Sequence, residues 1–166
     1  AACVYEGLVR QAVLRFKFRR ARYLGAFLGD LLVATLEARP IDVDVLVPVP
    51  SRTGVERERG YHHTDLLAAV VGWRLGLPVE RCALVRQRDT LPQVGLDARQ
   101  RWSNVRGAFR CVAPDRIAGR RVLLVDDILT TGATAESCAR ALATAGASGV
   151  WALVVARDQL ARPTER

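Results

Sequence analysis

Val122-Leu123-Leu124-Val125 runs without a break into Asp126-Asp127-Ile128-Leu129-Thr130-Thr131-Gly132-Ala133-Thr134, and no other stretch limits the fold so tightly. An uninterrupted apolar run of this length suits a strand buried on both faces, the habit of parallel sheets. Residues 133–145 then repeat apolar positions at helical spacing and stop at Gly146. A strand that passes through a short acidic and hydroxyl-rich turn into a helix is one step of an α/β sheet.

The rest of the chain repeats that alternation. Leu8, Ala12 and Phe16, with Val9 and Val13 on the adjoining row, predict a helix over residues 5–18, and a second runs from about residue 23 to 36 and ends near Pro40. Strands are expected at 45–49, 83–86, 108–112, 121–125 and 149–156. A helix over 64–75 stops at Gly76 and Pro78, and the long segment 87–106 holds one short helix capped by Asp97. The pattern predicts an open, mostly parallel sheet flanked by helices in a single domain over residues 1–166, with ligands beyond the carboxyl ends of the strands.

Each part of the segment around Thr131 has a chemical use. A helix start exposes unpaired N–H groups and the positive end of its dipole, and Gly132 permits close backbone approach, so Thr130, Thr131, Gly132, Ala133 and Thr134 can wrap a phosphate. Asp126 and Asp127 precede that cradle as acceptors for vicinal sugar hydroxyls. A phosphate and a diol one sugar-width apart describe ribose 5-phosphate. A P-loop is excluded, because that motif needs a Gly-rich run closed by Lys-Ser or Lys-Thr and the only lysine is Lys17, in the first helix.

Charge agrees with an anionic partner. The net charge is +8, and every basic residue except Lys17 is an arginine, whose fork suits phosphate oxygens on a sugar or on a nucleic-acid backbone alike. Charge alone does not separate a nucleotide enzyme from a nucleic-acid binder. No apolar run approaches the roughly 20 residues of a membrane span, and arginines interrupt the N-terminal segment too early for a secretory signal. Cys3, Cys82, Cys111 and Cys138 form no C-x-x-C pair, so neither a zinc cage nor a disulfide framework is expected, and they read as small buried hydrophobes in a reducing cytoplasm. The sequence contains no methionine, so residues are expected to be missing before Ala1.

Residues 122–134 resemble the 5-phosphoribosyl diphosphate (PRPP) motif of type I phosphoribosyltransferases. Val47-Pro-Val-Pro50-Ser51-Arg52, Arg57-Glu-Arg59-Gly60-Tyr61, and the series Arg86, Arg88, Thr90, Pro92, Gln93, Gly95, Arg101, Asn104 and Phe109 resemble the ComF/GntX-like competence-protein branch of that fold. The resemblance implies that Asp126 and Asp127 hold the ribose hydroxyls while Thr130, Thr131, Gly132, Ala133 and Thr134 hold the 5-phosphate. It implies that Pro50, Ser51, Arg52, Arg57 and Arg59 meet the diphosphate, and that Arg88, Gln93, Arg101 and Asn104 belong to a flexible loop that closes over the site. Residues 1–40 would form a helical hood and 41–166 the core. Members often begin with a cysteine-rich zinc module, of which these residues hold none, and His62 stands where they commonly carry an asparagine after Arg-Gly-Phe. The neighbours His62 and His63 would point apart on a strand or about 100° apart on a helix, which argues against their forming a metal pair.

Three functions follow from this resemblance. The first is a transferase that displaces diphosphate from PRPP with a nitrogen nucleophile, Mg²⁺ being held mainly by substrate oxygens and water. The second is a non-catalytic competence factor that binds single-stranded DNA during uptake, beside other proteins of the competence machinery. The third is a regulator that senses PRPP or a nucleotide in the same pocket.

Overall fold

Side chains alternate across a strand, and along the central strand that alternation builds two cores. The computed structural model describes residues 1–19, 21–51, 61–88 and 97–158. In chain order the elements are β1 (Cys3–Val4), α1 (Gly7–Phe18), α2 (Leu24–Ala38), β2 (Val45–Pro48), α3 (His63–Leu75), β3 (Leu84–Arg86), α4 (Ala98–Val105), β4 (Phe109–Cys111), a 3₁₀ turn (Pro114–Arg116), β5 (Arg121–Leu129), α5 (Ala133–Thr144) and β6 (Gly149–Arg157). Four strands form one sheet in the order β1-β6-β5-β2, every pair parallel.

Leu123 and Val125 of β5, with Leu153 and Val155 of β6, face a core built by α1, α2 and α3. Val122 and Leu124 face the opposite core, shared with Cys138 and Leu142 of α5 and with the second sheet. The expected parallel, helix-covered sheet is therefore present, with β5 in its interior.

Three features depart from the sequence expectation. β3 and β4 leave the main sheet and pair antiparallel with each other, packing Leu84 and Phe109 into the second core. β1 is too short to carry a period, yet it pairs with the end of β6 through Cys3 and Val4. β5 continues to Leu129, because β6 still pairs with Ile128 and Leu129 after β2 has ended at Pro48. The acidic pair consequently lies inside the strand.

The segment expected to form a hood divides. α2 lies on the sheet, with Leu28, Leu32 and Leu36 in the first core beside α3. Gly29 makes that approach close: a Cβ there would stand 2.5 Å from Val70 Cγ1. α1 instead begins where β1 delivers the chain, beside the carboxyl end of β6, since the Tyr5 N–H donates to the Arg157 carbonyl. The cysteines are less uniform than expected, with Cys138 buried, Cys3 and Cys111 half-buried and Cys82 exposed. Among the described residues, no helix is long and apolar enough to cross a membrane.

Candidate functional site

The carboxyl ends of β2, β5 and β6 lie on one side of the parallel sheet, and the chemistry-bearing residues gather there. Val49 N–H donates to the Val125 carbonyl, and buried Thr64 Oγ1 donates to the Val49 carbonyl at 2.9 Å. These bonds fix the chain entering Pro50 and Ser51. Arg86, lying over the Phe109 ring at 4.6 Å, reaches the Pro50 carbonyl at 3.5 Å.

After Leu129 the chain turns through Thr130 and Thr131 to Gly132, whose φ of +82° is left-handed, and α5 starts at Ala133. No side chain caps that start, although Ala133 N–H points toward Thr131 Oγ1 at 3.4 Å. Helix-end amides are therefore turned toward this side, as an anion cradle requires. Among the described residues a Cβ at Gly132 would meet nothing within 4 Å, so the demand for glycine there is conformational. Gly132→Ala should cost about 1–2 kcal/mol through left-handed strain alone, a fall of roughly 2–8 °C in melting temperature by calorimetry. An unchanged melting temperature would show that the turn is not held at this φ.

The two aspartates do not face the same way. Asp126 is half-buried on the α5 side, and its Oδ1 accepts from the Asp127 N–H at 2.8 Å. Asp127 points into the core beneath α1 and α3, where its side chain is 2% exposed. There Lys17 Nζ lies 2.9 Å from Oδ1 and 2.8 Å from Oδ2, and His63 Nε2 lies 3.1 Å from Oδ2. The expectation that both carboxylates meet a ribose is not what the structure presents, because the two-residue period sends neighbours to opposite faces.

Electrostatics separates the pair as well. Burial raises the Asp126 carboxyl from its ordinary 3.8 to about 7, and the adjacent Asp127 charge adds to the rise. Burial alone would raise Asp127 too, but the Lys17 charge and the His63 hydrogen bond outweigh it and hold Asp127 well below the usual carboxylate range. A carboxyl raised in the folded state retains its proton between its unfolded and folded values, so its contribution to stability is present below about pH 4 and is lost as pH rises through 7. Asp126→Asn removes that loss. Its melting temperature should gain on wild type from pH 5 to pH 8, by on the order of 5 °C, and parallel curves would contradict the assignment.

The remaining expected residues are distributed as follows. Arg52, Arg57, Arg59 and Gln93 lie outside the described residues, as does the side chain of Arg101. Arg88 donates to the carbonyls of Asn104 and Arg106 at 2.9 and 3.0 Å, which ties it to the end of α4. The helix expected after Asp97 is present, with a capping box in which Asp97 accepts from Gln100 N–H and the Gln100 side chain accepts from Asp97 N–H. His62 is the exposed residue before α3, whereas His63 is buried and turned to the acidic pair.

Sequence reasoning missed Lys17 and His63 as partners of Asp127. One signal was available: in a chain whose other cations are all arginines, a single lysine marks a place for a compact ammonium that a guanidinium fork would not fit.

A parallel sheet whose interior strand carries an acidic pair and turns directly into an anion-ready helix start defines the class, that of type I phosphoribosyltransferase folds. Residues 77–165 match the phosphoribosyl transferase domain family. The chain is similar to competence protein F of Haemophilus influenzae, 32% identical over 149 residues that cover 85% of this chain and 65% of that protein. DNA utilization protein YhgH of Escherichia coli is 34% identical over 141 residues, covering 81% and 61% of the two chains. The chain thus spans somewhat under two thirds of the length of these relatives. In fold it resembles a Bacillus subtilis glutamine phosphoribosylpyrophosphate amidotransferase, with a TM-score of 0.55 and 22% identity over 81% of this chain and 26% of that one. The chain belongs to the phosphoribosyl transferase domain family, and its sequence is similar to that of ComF-like competence proteins.

Proposed function

We propose that this chain binds PRPP and transfers its phosphoribosyl group to a nitrogen nucleophile with release of diphosphate. The observation that carries the proposal is the short path from half-buried Asp126, along the last residues of β5 and through one turn, to the glycine-started helix at Ala133, which sets a carboxylate near helix-start amides. In that arrangement the 5-phosphate rests on residues 130–134, and Asp126 accepts from a ribose hydroxyl. Asp127, paired with Lys17 and beside His63, anchors the strand from beneath rather than meeting the sugar.

Pro50 and Ser51, fixed from behind by Val125, Thr64 and Arg86, stand where diphosphate would leave. Magnesium arriving with PRPP would be carried by diphosphate and ribose oxygens and by water, screening their charge. A magnesium held directly by Asp127 does not fit, since Lys17 spans both of its oxygens. The test is a calorimetric titration with PRPP and Mg²⁺, then a diphosphate-release assay across a panel of bases. Saturable binding with release from at least one base is expected, and absence of binding overturns the proposal.

A second function, single-stranded DNA binding without turnover, is favoured by one surface. Phe18, Tyr23 and Phe27 are exposed around the α1–α2 corner among exposed Arg15, Arg19 and Arg22, which offers stacking faces beside cations. The names of the relatives, a competence protein and a DNA utilization protein, point the same way. Tight, salt-sensitive oligonucleotide binding together with no diphosphate release from any base would select this function over the first.

A further inference from the structure

We infer that Lys17 is the resident cation of the acidic cluster: its ammonium takes the place a divalent ion would otherwise occupy among His63, Asp126 and Asp127, and it leaves Asp126 as the one carboxylate of the pair open to a ligand. The second half of this statement rests on the phosphoribosyl reading proposed above. The first half does not.

The cluster has the makings of a metal site. Ligand atoms of His63, Asp126 and Asp127 all lie within 4.8 Å of one another, and a nitrogen with two carboxylates suits a first-row divalent ion. His63 is buried with Nε2 turned to Asp127, and its Nδ1 has no hydrogen-bond partner among the described residues. Yet Lys17 Nζ already sits 2.9 and 2.8 Å from the two Asp127 oxygens. A divalent ion at about 2.0–2.2 Å from either oxygen would have to share that space with a like charge.

The lysine is also held in place by its neighbours. Tyr61 donates its hydroxyl to the carbonyl of Phe16, the residue before Lys17, and Phe16 meets the His63 ring edge-on with centroids 6.2 Å apart. The Arg22 guanidinium lies over the other aromatic of this group, 5.3 Å from the Tyr61 ring centre. The end of α1 is thereby held against the start of α3, which keeps the ammonium within reach of Asp127. A covalently attached cation cannot be lost to a chelator, and it is present whether or not a sugar phosphate has brought magnesium. It therefore makes the two aspartates different before any ligand arrives: Asp127 is spent on Lys17, and Asp126 is left to receive a hydroxyl.

The test uses Mn²⁺ alone as probe, with wild type, Lys17→Gln, and Lys17→Gln combined with Asp127→Asn. Free Mn²⁺ followed by electron paramagnetic resonance should show weak binding to wild type. Lys17→Gln should bind one ion at least about 10-fold more tightly, with a histidine nitrogen coupling from His63, and the added Asp127→Asn should abolish the gain. Melting temperature gives a second readout for a variant that is poorly folded at rest, since Mn²⁺ should raise it in Lys17→Gln and leave wild type unmoved. Wild type that binds Mn²⁺ through His63 as tightly as the variant overturns the inference. So does a variant that gains neither affinity nor melting temperature. No sugar phosphate enters these arms, so they stand whatever PRPP does. The second half is read separately, from ribose 5-phosphate titrated into wild type and Asp126→Asn. Affinity lost by at least about 10-fold in the variant supports it, equal affinity in both overturns it, and wild type that binds no ribose 5-phosphate sinks the phosphoribosyl proposal instead.

Discussion

Asp127→Ala should lower the melting temperature by roughly 6–12 °C, the largest stability effect expected of a single change at the site. Removing one member of a buried ion pair leaves its partners uncompensated, at about 3 kcal/mol, and each kcal/mol moves the transition by a few degrees in a domain of this size. The partners are Lys17, 28% exposed, and His63, 4% exposed, so His63 bears most of the penalty: it loses its acceptor and has no solvent to turn to. Combining Asp127→Ala with Lys17→Met should recover part of the loss, because the stranded ammonium is then gone. A calorimetric scan of the single variant within 2 °C of wild type would mean that the pair carries no net weight.

Asp126→Asn should lose turnover while its folding gains at neutral pH, so the two effects have opposite sign. The amide keeps the size and a hydrogen-bonding oxygen but removes the negative charge beside a ribose that must gain positive character. Diphosphate release should therefore fall by about 100-fold or more, and PRPP affinity by less, because a lost transition-state interaction shows in turnover. The decisive quantity is the ratio of the two effects, from single-turnover release and calorimetric binding on the same preparations. A pure binder would show no such split. Unchanged release in the variant would remove Asp126 from the chemistry.

These two changes fall on adjacent residues, and the sequence distinguishes them poorly for a physical reason. The strand, the threonine turn and the helix after it are local features, each readable from period, turn residues and helix-end chemistry, and the structure has all three in that order, although the strand runs on through the acidic pair to Leu129. The capping box at Asp97 was legible for the same reason. What divides Asp126 from Asp127 is not local. Lys17 lies 110 residues from Asp127 along the chain, and only the packing of α1 against α3 brings it there. The strands at β3 and β4 were legible, but their antiparallel pairing apart from the main sheet is a non-local choice, and the two-residue β1 is too short to show a period. The position of α2 on the sheet was legible in hindsight: its buried residues Leu28, Leu32 and Leu36 form a stripe at helical spacing, which a helix standing over a ligand would not need.

A crystal structure with ribose 5-phosphate bound would show whether the turn at Gly132 is the phosphate site. The phosphate is expected on the backbone amides between Thr130 and Thr134, at the start of α5, with a ribose hydroxyl donating to Asp126 and Lys17 still on Asp127. A phosphate bound only among the arginines of α1 and α2, with the turn at Gly132 empty, would contradict it.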